Sequence, residues 1–429
     1  MFVKLPLQTK DYRLKTKNFI CHNSLNFVYC KQLYLTRGIV GMAVFRSVCL
    51  FGVVFLTCSG LFGQGKTYTV KTTDGVNYIH NIVPLWRNAQ EKITFQFVQK
   101  IGASPKKDTH YTFNRPQDVT VDPQGNIYIL DNGNCRIVKY TKTGKYISII
   151  GKEGNGPCEF QLPHSIQYTK QNTITVSDEI KRYTSVLSTA GKELKRLSAE
   201  NGEYFTFRIL NSGDMVSYGI SNFAELVEGK PFQEPMLKIF NAQVVKKAEF
   251  CKPLDTGDLF TNILMNEIRF TTDTADNIYV IFTRQNIIDK YGQTGKQLWR
   301  SERQLNYLMI IPEPPENVQA LNFFNAITAA TPNASTQVNQ FAHTVEADSL
   351  GRAWVYTLLS QPEGIINTPD YVPAETALEI YDQNGILLAQ IQHPKEIKEL
   401  YTYRIFGGSI FFIDCNVENC VFEYKIIEK

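Results

Sequence analysis

Along most of the chain, apolar and polar residues alternate in short runs separated by Gly, Asn, Asp and Thr, the period-two pattern of half-buried strands. In the stretch from Gly125 to Lys145, IYILD and RIVKYT flank a turn containing Asp131, Asn132, Asn134 and Cys135. The pattern repeats. A shift of 47 residues places Pro116 on Pro163, Ile127 on Ile174, Asp131 on Asp178 and Gly144 on Gly191. A shift of 151 residues places GNIYILD on DNIYVIF and Thr143-Gly-Lys on Thr294-Gly-Lys. NSGDMVSYG with LKIFNAQ fills the interval, and DSLGRAWVYTLL with LEIYDQNGILLAQI and a C-terminal GGSIFFIDCNVENCVFEYKI complete six units. Each full unit reads as four short strands, and units of roughly 40 to 50 residues with that content are β-propeller blades.

The last unit ends after its third strand, while FQFVQKIG, Phe95 to Gly102, precedes the first complete unit as an orphan fourth strand. The fold expected is therefore all-β: a six-bladed propeller over residues 93–429 with four-stranded antiparallel blades. The N-terminal strand is expected to join the C-terminal blade, which removes the open edges of a linear β-array. Residues 66–92 alternate like strand and are expected to run along the propeller exterior.

At this point the chain resembles the six-bladed propellers built from NHL repeats. DNGNCRIVKY follows that family's Asp-x-x-Asn-His-Arg-Ile pattern with Cys135 in place of His, and GKEGNGPCEFQLP follows its Gly-rich link with Cys158 in place of Gly. The likeness covers roughly Phe95 to Lys429 and is sharpest in the first unit; the second puts Lys181 and Tyr183 where the pattern has Asn and Arg. It implies the fold. Propellers of this kind host binding, scaffolding and some catalysis, so it does not by itself assign an activity. Asp131 and Arg136 are expected to satisfy turn and inter-strand polar groups rather than to hold a metal.

Charge and targeting patterns change the picture at the N-terminus. The chain carries 45 Lys and Arg against 41 Asp and Glu, a formal +4, but eight of the basic residues and one acid precede Gly65, leaving −3 for the remainder. The folded body thus lacks the basic balance of a nucleic-acid binder. From Met42 a basic head at Arg46, an apolar core and a small-residue tail give the three-part pattern of a secretory signal over residues 42–65. Export to a periplasm or cell envelope is expected, with residues 1–41 read as an upstream extension; a cytoplasmic tail on an uncleaved anchor is the rival reading. FLTCSG also resembles a lipoprotein box with Cys58 as the lipidated residue, although Thr57 sits where a smaller residue is usual. Five cysteines follow it, so at least one thiol is unpaired within the chain, and Cys415 with Cys420 is the candidate hairpin disulfide.

Three long segments fall on one face in propeller topology: 302–340, 360–375 and 221–236. Phe323, Phe324 and Tyr371 supply aromatic contact area there, either to a ligand or to the loop's own blade. The first inner-strand positions, aligned by repeat, collect Gln117, His164, Phe205, Ile268, His343 and Leu400; the next collect Asp118, Ser165, Thr206, Arg269, Thr344 and Tyr401. His164 and His343 belong to opposite blades, which argues against their sharing one metal ion. The expected function is an exported, monomeric, non-enzymatic module without a cofactor. It would bind a protein, peptide or glycan partner on the long-loop face, no nucleic acid, and a membrane only through a lipid anchor. The alternative is a lactonase or lyase with a divalent ion in the channel, for which Asp118, His164, Glu267 and His343 are the candidates.

Overall fold

The computed structural model describes residues 66–103, 108–198, 206–219, 233–309, 339–364, 369–397 and 400–429. Six sheets of antiparallel strands follow one another. Blade one contains Pro116–Val121, Ile127–Asp131, Arg136–Tyr140 and Tyr146–Ile150, and blade two contains Pro163–Tyr168, Thr173–Asp178, Tyr183–Ser188 and Glu193–Leu197. Blade three comprises Thr206–Ile209, Met215–Tyr218, Leu237–Phe240 and Lys246–Phe250; blade four, Ile268–Thr272, Ile278–Phe282, Ile288–Tyr291 and Gln297–Arg303. Blade five comprises Ala342–Ala347, Ala353–Leu358, Thr376–Tyr381 and Leu387–Ile391. Blade six takes three strands from the C-terminus, Thr402–Phe406, Ser409–Asp414 and Cys420–Glu428, and its fourth is Ile93–Gly102, with Cys420 opposite Gly102 and Glu428 opposite Ile93.

The second strand of a blade is packed on both faces and is mostly apolar: Ile127–Asp131, Ile278–Phe282 and Ala353–Leu358 are buried at every position, with Asp131 and Thr357 the polar exceptions. Outer strands are wet and alternate, as in Tyr146–Ile150. Six clusters of buried side chains fill the seams between neighbouring blades. Ile101, Phe411 and Ile413 of blade six meet Val119, Ile129 and Tyr140 of blade one in one of them. Burial of this kind contributes about 25 cal/mol per Å² of apolar surface and is the main source of stability.

Ahead of the propeller, Tyr68–Thr73 and Val76–Asn81 form a hairpin whose second strand runs parallel to the outer strand of blade four, Asn77 beside Trp299. The chain then passes blade five, where the Leu85 and Trp86 amides donate to the Leu387 and Leu388 carbonyls at 3.0 and 2.8 Å. Asn81 fastens this crossing. Its side-chain amide donates to Ser301 Oγ at 2.9 Å and to the Gly385 carbonyl at 3.2 Å, while its Oδ1 accepts the Leu387 amide at 2.8 Å.

Candidate functional site

The Asp131 turn is structural. Its Oδ1 accepts the Asn114 amide at 2.8 Å, and its Oδ2 accepts Arg136 Nε at 2.7 Å and Asn134 Nδ2 at 2.8 Å. Arg136 also donates to the carbonyls of Thr109 and Thr112, and Asn132 reaches the Pro163 carbonyl of the next blade. These polar side chains therefore tie one inter-blade link to its own blade and to the following one. In blade two Asp178 accepts the Gln161 and Leu162 amides, and Lys181 Nζ donates to the Glu159 carbonyl at 2.6 Å. The substituted repeat keeps the tie with different residues.

Register explains why His164 and His343 align. In blades one, two and five the pairing jumps from Pro116 to Asp118, from Pro163 to Ser165 and from Ala342 to Thr344, so Gln117, His164 and His343 are the extra residues of three equivalent β-bulges. A bulge releases its extra residue from the ladder and re-aims the side chain. His343 stacks on Tyr356, ring centroids 5.2 Å apart, and its Nδ1 lies 3.0 Å from Gln340 Nε2. Burial, with the Arg269 and Arg284 charges, pushes His343 down to about 4. Burial also lowers His164, against the pull of Glu179, Asp118 and Asp178. Arg269 acts electrostatically on both imidazoles, and at neutral pH both are uncharged.

Glu267 sits just before the inner strand of blade four. It accepts Arg269 Nη2 at 2.8 Å and Thr283 Oγ1 at 3.0 Å and is paired with Arg284. Burial raises its carboxyl, but the Arg269 and Arg284 charges outweigh that and hold it below the usual range. Asp118 points elsewhere. Arg404 of blade six grips both of its oxygens, at 2.6 and 3.0 Å, and also pairs with Glu346 of blade five. The remaining Asp118 capacity accepts the amides of Val119 and Ile166, each at 2.8 Å.

The structure therefore separates the four catalytic candidates. His164, Glu267 and His343 lie at the strand-entry end of the axis, while Asp118 is consumed by an ion-pair network joining blades one, five and six. Among the described residues no group of three or more His, Cys, Asp or Glu side chains is arranged to hold a metal ion. What the entry end does present is contact surface: Tyr401 is 43% exposed and Arg269 is half-exposed, while the buried Tyr356 ring beneath holds His343 stacked on it and His393 edge-on. Tyr371 is partly buried, beside the Glu363–Val372 bridge. Phe323, Phe324 and Cys58 lie outside the described residues.

Residues 113–140 match the model of the NHL repeat family. The chain is a six-bladed β-propeller that carries an NHL repeat in its first blade. Over 145 residues, 29% of its length, this chain is 31% identical to human NHL repeat-containing protein 3, and that match spans 42% of the relative. The chain thus covers less than half the length of the curated relatives it matches. Two solved structures share its fold: a candidate exported protein of Bacteroides fragilis, covering 82% of this chain with a TM-score of 0.51 and 12% identity, and a member of the duf4221 family from Bacteroides vulgatus, covering 79% with 0.54 and 10%. They cover 99% and 100% of those chains respectively. No described helix is long and apolar enough to cross a membrane.

One expected pairing is corrected: Cys415 and Cys420 are not joined in a disulfide. The residue opposite Cys420 is Asp414, so those two share a face and Cys415, one step further, points to the other. The Asp414 carboxylate, accepting the Val417 and Glu418 amides, closes the turn that a disulfide was expected to close. The groups that dominate the axis, Arg404, Arg208 and Glu346, were not among the candidates. The offset used for alignment stops two positions into each inner strand, and these residues lie further along.

Proposed function

We propose that this is an exported, non-enzymatic binding propeller that holds a peptide, glycan or protein partner on the face where the three long segments emerge. The observation that carries the reading is the commitment of three of the four acid and base candidates near the axis. Glu267 is held ionised by two arginines, His343 is neutral and packed on Tyr356, and Asp118 is bound through both oxygens by Arg404. A general base needs a free lone pair, and a pKa near the working pH, within reach of its proton; these side chains offer neither. Tyr401 and Arg269 instead supply the aromatic and guanidinium contacts on which binding surfaces rely. Supporting this face, Tyr218 pairs with Leu237 and Leu358 with Thr376, and Arg303 donates to the Leu358 carbonyl, so the described ends of the long segments lie at this same end. Export rests on the three-part pattern at residues 42–65, and Cys58 would add the lipid anchor.

The test passes a native envelope extract over the immobilised mature chain. Capture that is lost in Tyr401→Ala with Arg269→Gln, and in a chain shortened between Pro312 and Ser335, with unchanged melting temperature, is expected. Equal capture by all variants, or turnover of lactone substrates abolished by Glu267→Gln, would overturn the reading.

A further inference from the structure

A cavity opens at the other end of the axis, away from the long segments. It measures about 940 Å³ and is lined by the inner strands of all six blades, from Thr120 and Ile166 through Arg208, Thr271 and Glu346 to Arg404. Three guanidiniums stand in its wall, and their situations differ: Arg352 is paired with Asp348 and Glu428. Arg404 is saturated by Asp118 and Glu346. Among the described residues Arg208 has neither a carboxylate nor a hydrogen-bond partner. A guanidinium carries five N–H donors in a planar fork, and leaving them unmade away from bulk water is costly, so such a group is a ready seat for an anion. Burial and the Arg404 charge pull Arg208 below its usual range, and the more distant Glu346 and Asp118 only partly offset this.

The rim decides which anion. Seven carboxylates and five basic groups line the cavity. Toward the mouth, Asp122 caps its own turn through the Gln124 and Asn126 amides, Asp273 does the same through Ala275 and Asn277, and Asp276 holds the Asn211 and Ser212 amides. These carboxylates are fixed as acceptors in the cavity wall. A polyanion such as a nucleotide is repelled by such a mouth. A ligand with one leading carboxylate and a cationic trailing end matches a deep cation under an acidic rim.

We infer that this cavity binds a small α-carboxylate that also carries an ammonium group, a free amino acid or the C-terminus of a short peptide, with the carboxylate on the Arg208 fork and the ammonium toward Asp273 and Asp276 of the neighbouring blade four. The site is separate from the long-loop face and independent of the function proposed for it.

Calorimetric titration at constant ionic strength tests the inference with five probes: glycine, triglycine, triglycine amide, acetate and inorganic phosphate. Stoichiometric binding of glycine or triglycine is expected, at least about tenfold tighter than the amide and the acetate, the former lacking the anion and the latter the cation. Glycine and triglycine together distinguish the free amino acid from the peptide terminus. Arg208→Gln should weaken binding at least about tenfold while its unfolding midpoint without ligand stays near that of the parent, and Arg208→Lys should retain part of the affinity. Silence of both glycine and triglycine, equal binding of acid and amide, a preference for phosphate, or undiminished binding by Arg208→Gln would each overturn it.

Discussion

Replacing Arg404 with alanine removes one side chain that three blades share. Arg404 supplies two hydrogen bonds to Asp118 and one to Glu346, and those carboxylates are only 1% and 4% exposed. Truncation leaves two anions behind a wall that stays mostly dry. Breaking a buried pair from one side costs about 3–5 kcal/mol, because the orphaned charge keeps its desolvation penalty and loses its partner. Two features place this case at the lower end: the axial cavity admits water, and the Arg208 charge lies within electrostatic reach of both carboxylates. A loss of about 3 kcal/mol is therefore expected, measured by urea unfolding followed through tryptophan fluorescence. Adding Asp118→Asn and Glu346→Gln to Arg404→Ala removes both stranded charges and should recover at least half of the loss. A single-variant effect below about 1 kcal/mol, or no recovery in the triple variant, would refute the reasoning that the axis depends on these charge pairs.

Three further outcomes follow from the same structure. His343 has its folded value pushed down to about 4 from an ordinary 6.5. The unfolded chain therefore takes up the proton first, and stability should fall as pH drops from about 6.5 to about 4, by up to about 3 kcal/mol before allowance for partial solvent exposure; His343→Gln should flatten that slope in pH-dependent urea titrations, and an unchanged slope would count against the assignment. Gly102 adopts φ +107°, and a Cβ there would sit 2.8 Å from the Asn419 carbonyl oxygen and 2.9 Å from Cys420 Cα. Gly102→Ala should accordingly lower stability by about 2 kcal/mol or more in thermal unfolding, whereas Gly407→Ala, with φ +56° and open space around it, should cost less. Deleting the chain through Gly102 removes the strand paired with Cys420–Glu428 and should abolish soluble folding, while deletion through Gln64 should not; equal yields of the two truncations would contradict the pairing.

The blades were legible because their signals are local. Alternation, turn residues and the repeat shift of 47 are all readable within one unit, and they placed the strands of blade one and the start of blade six's outer strand within a few residues. The shared register of Gln117, His164 and His343 was legible too, although its physical form, a repeated bulge, was not. The axis was hidden for a different reason. Arg404 and Asp118 are 286 residues apart, and nothing local marks either as the other's partner. Glu267 precedes its strand and answers to Arg284 across a hairpin, so repeat alignment could not reveal that it was occupied. Spacing suggested a Cys415–Cys420 bridge, but face parity in the hairpin excludes it. The N-terminal hairpin read correctly as strand, yet its parallel seat on blade four depends on shape complementarity that no local pattern encodes.

The central claim is that guanidinium–carboxylate pairs occupy the propeller axis and that the protein binds rather than catalyses. Calorimetric titration of the purified protein with Ca²⁺, Mg²⁺ and Zn²⁺ tests it most directly. The account predicts no stoichiometric site, because Asp118, Glu346 and Glu267 are already neutralised by Arg404, Arg269 and Arg284. A single stoichiometric site for any of the three ions, abolished by Asp118→Asn or His164→Ala, would contradict it and return the metal-dependent enzyme to first place.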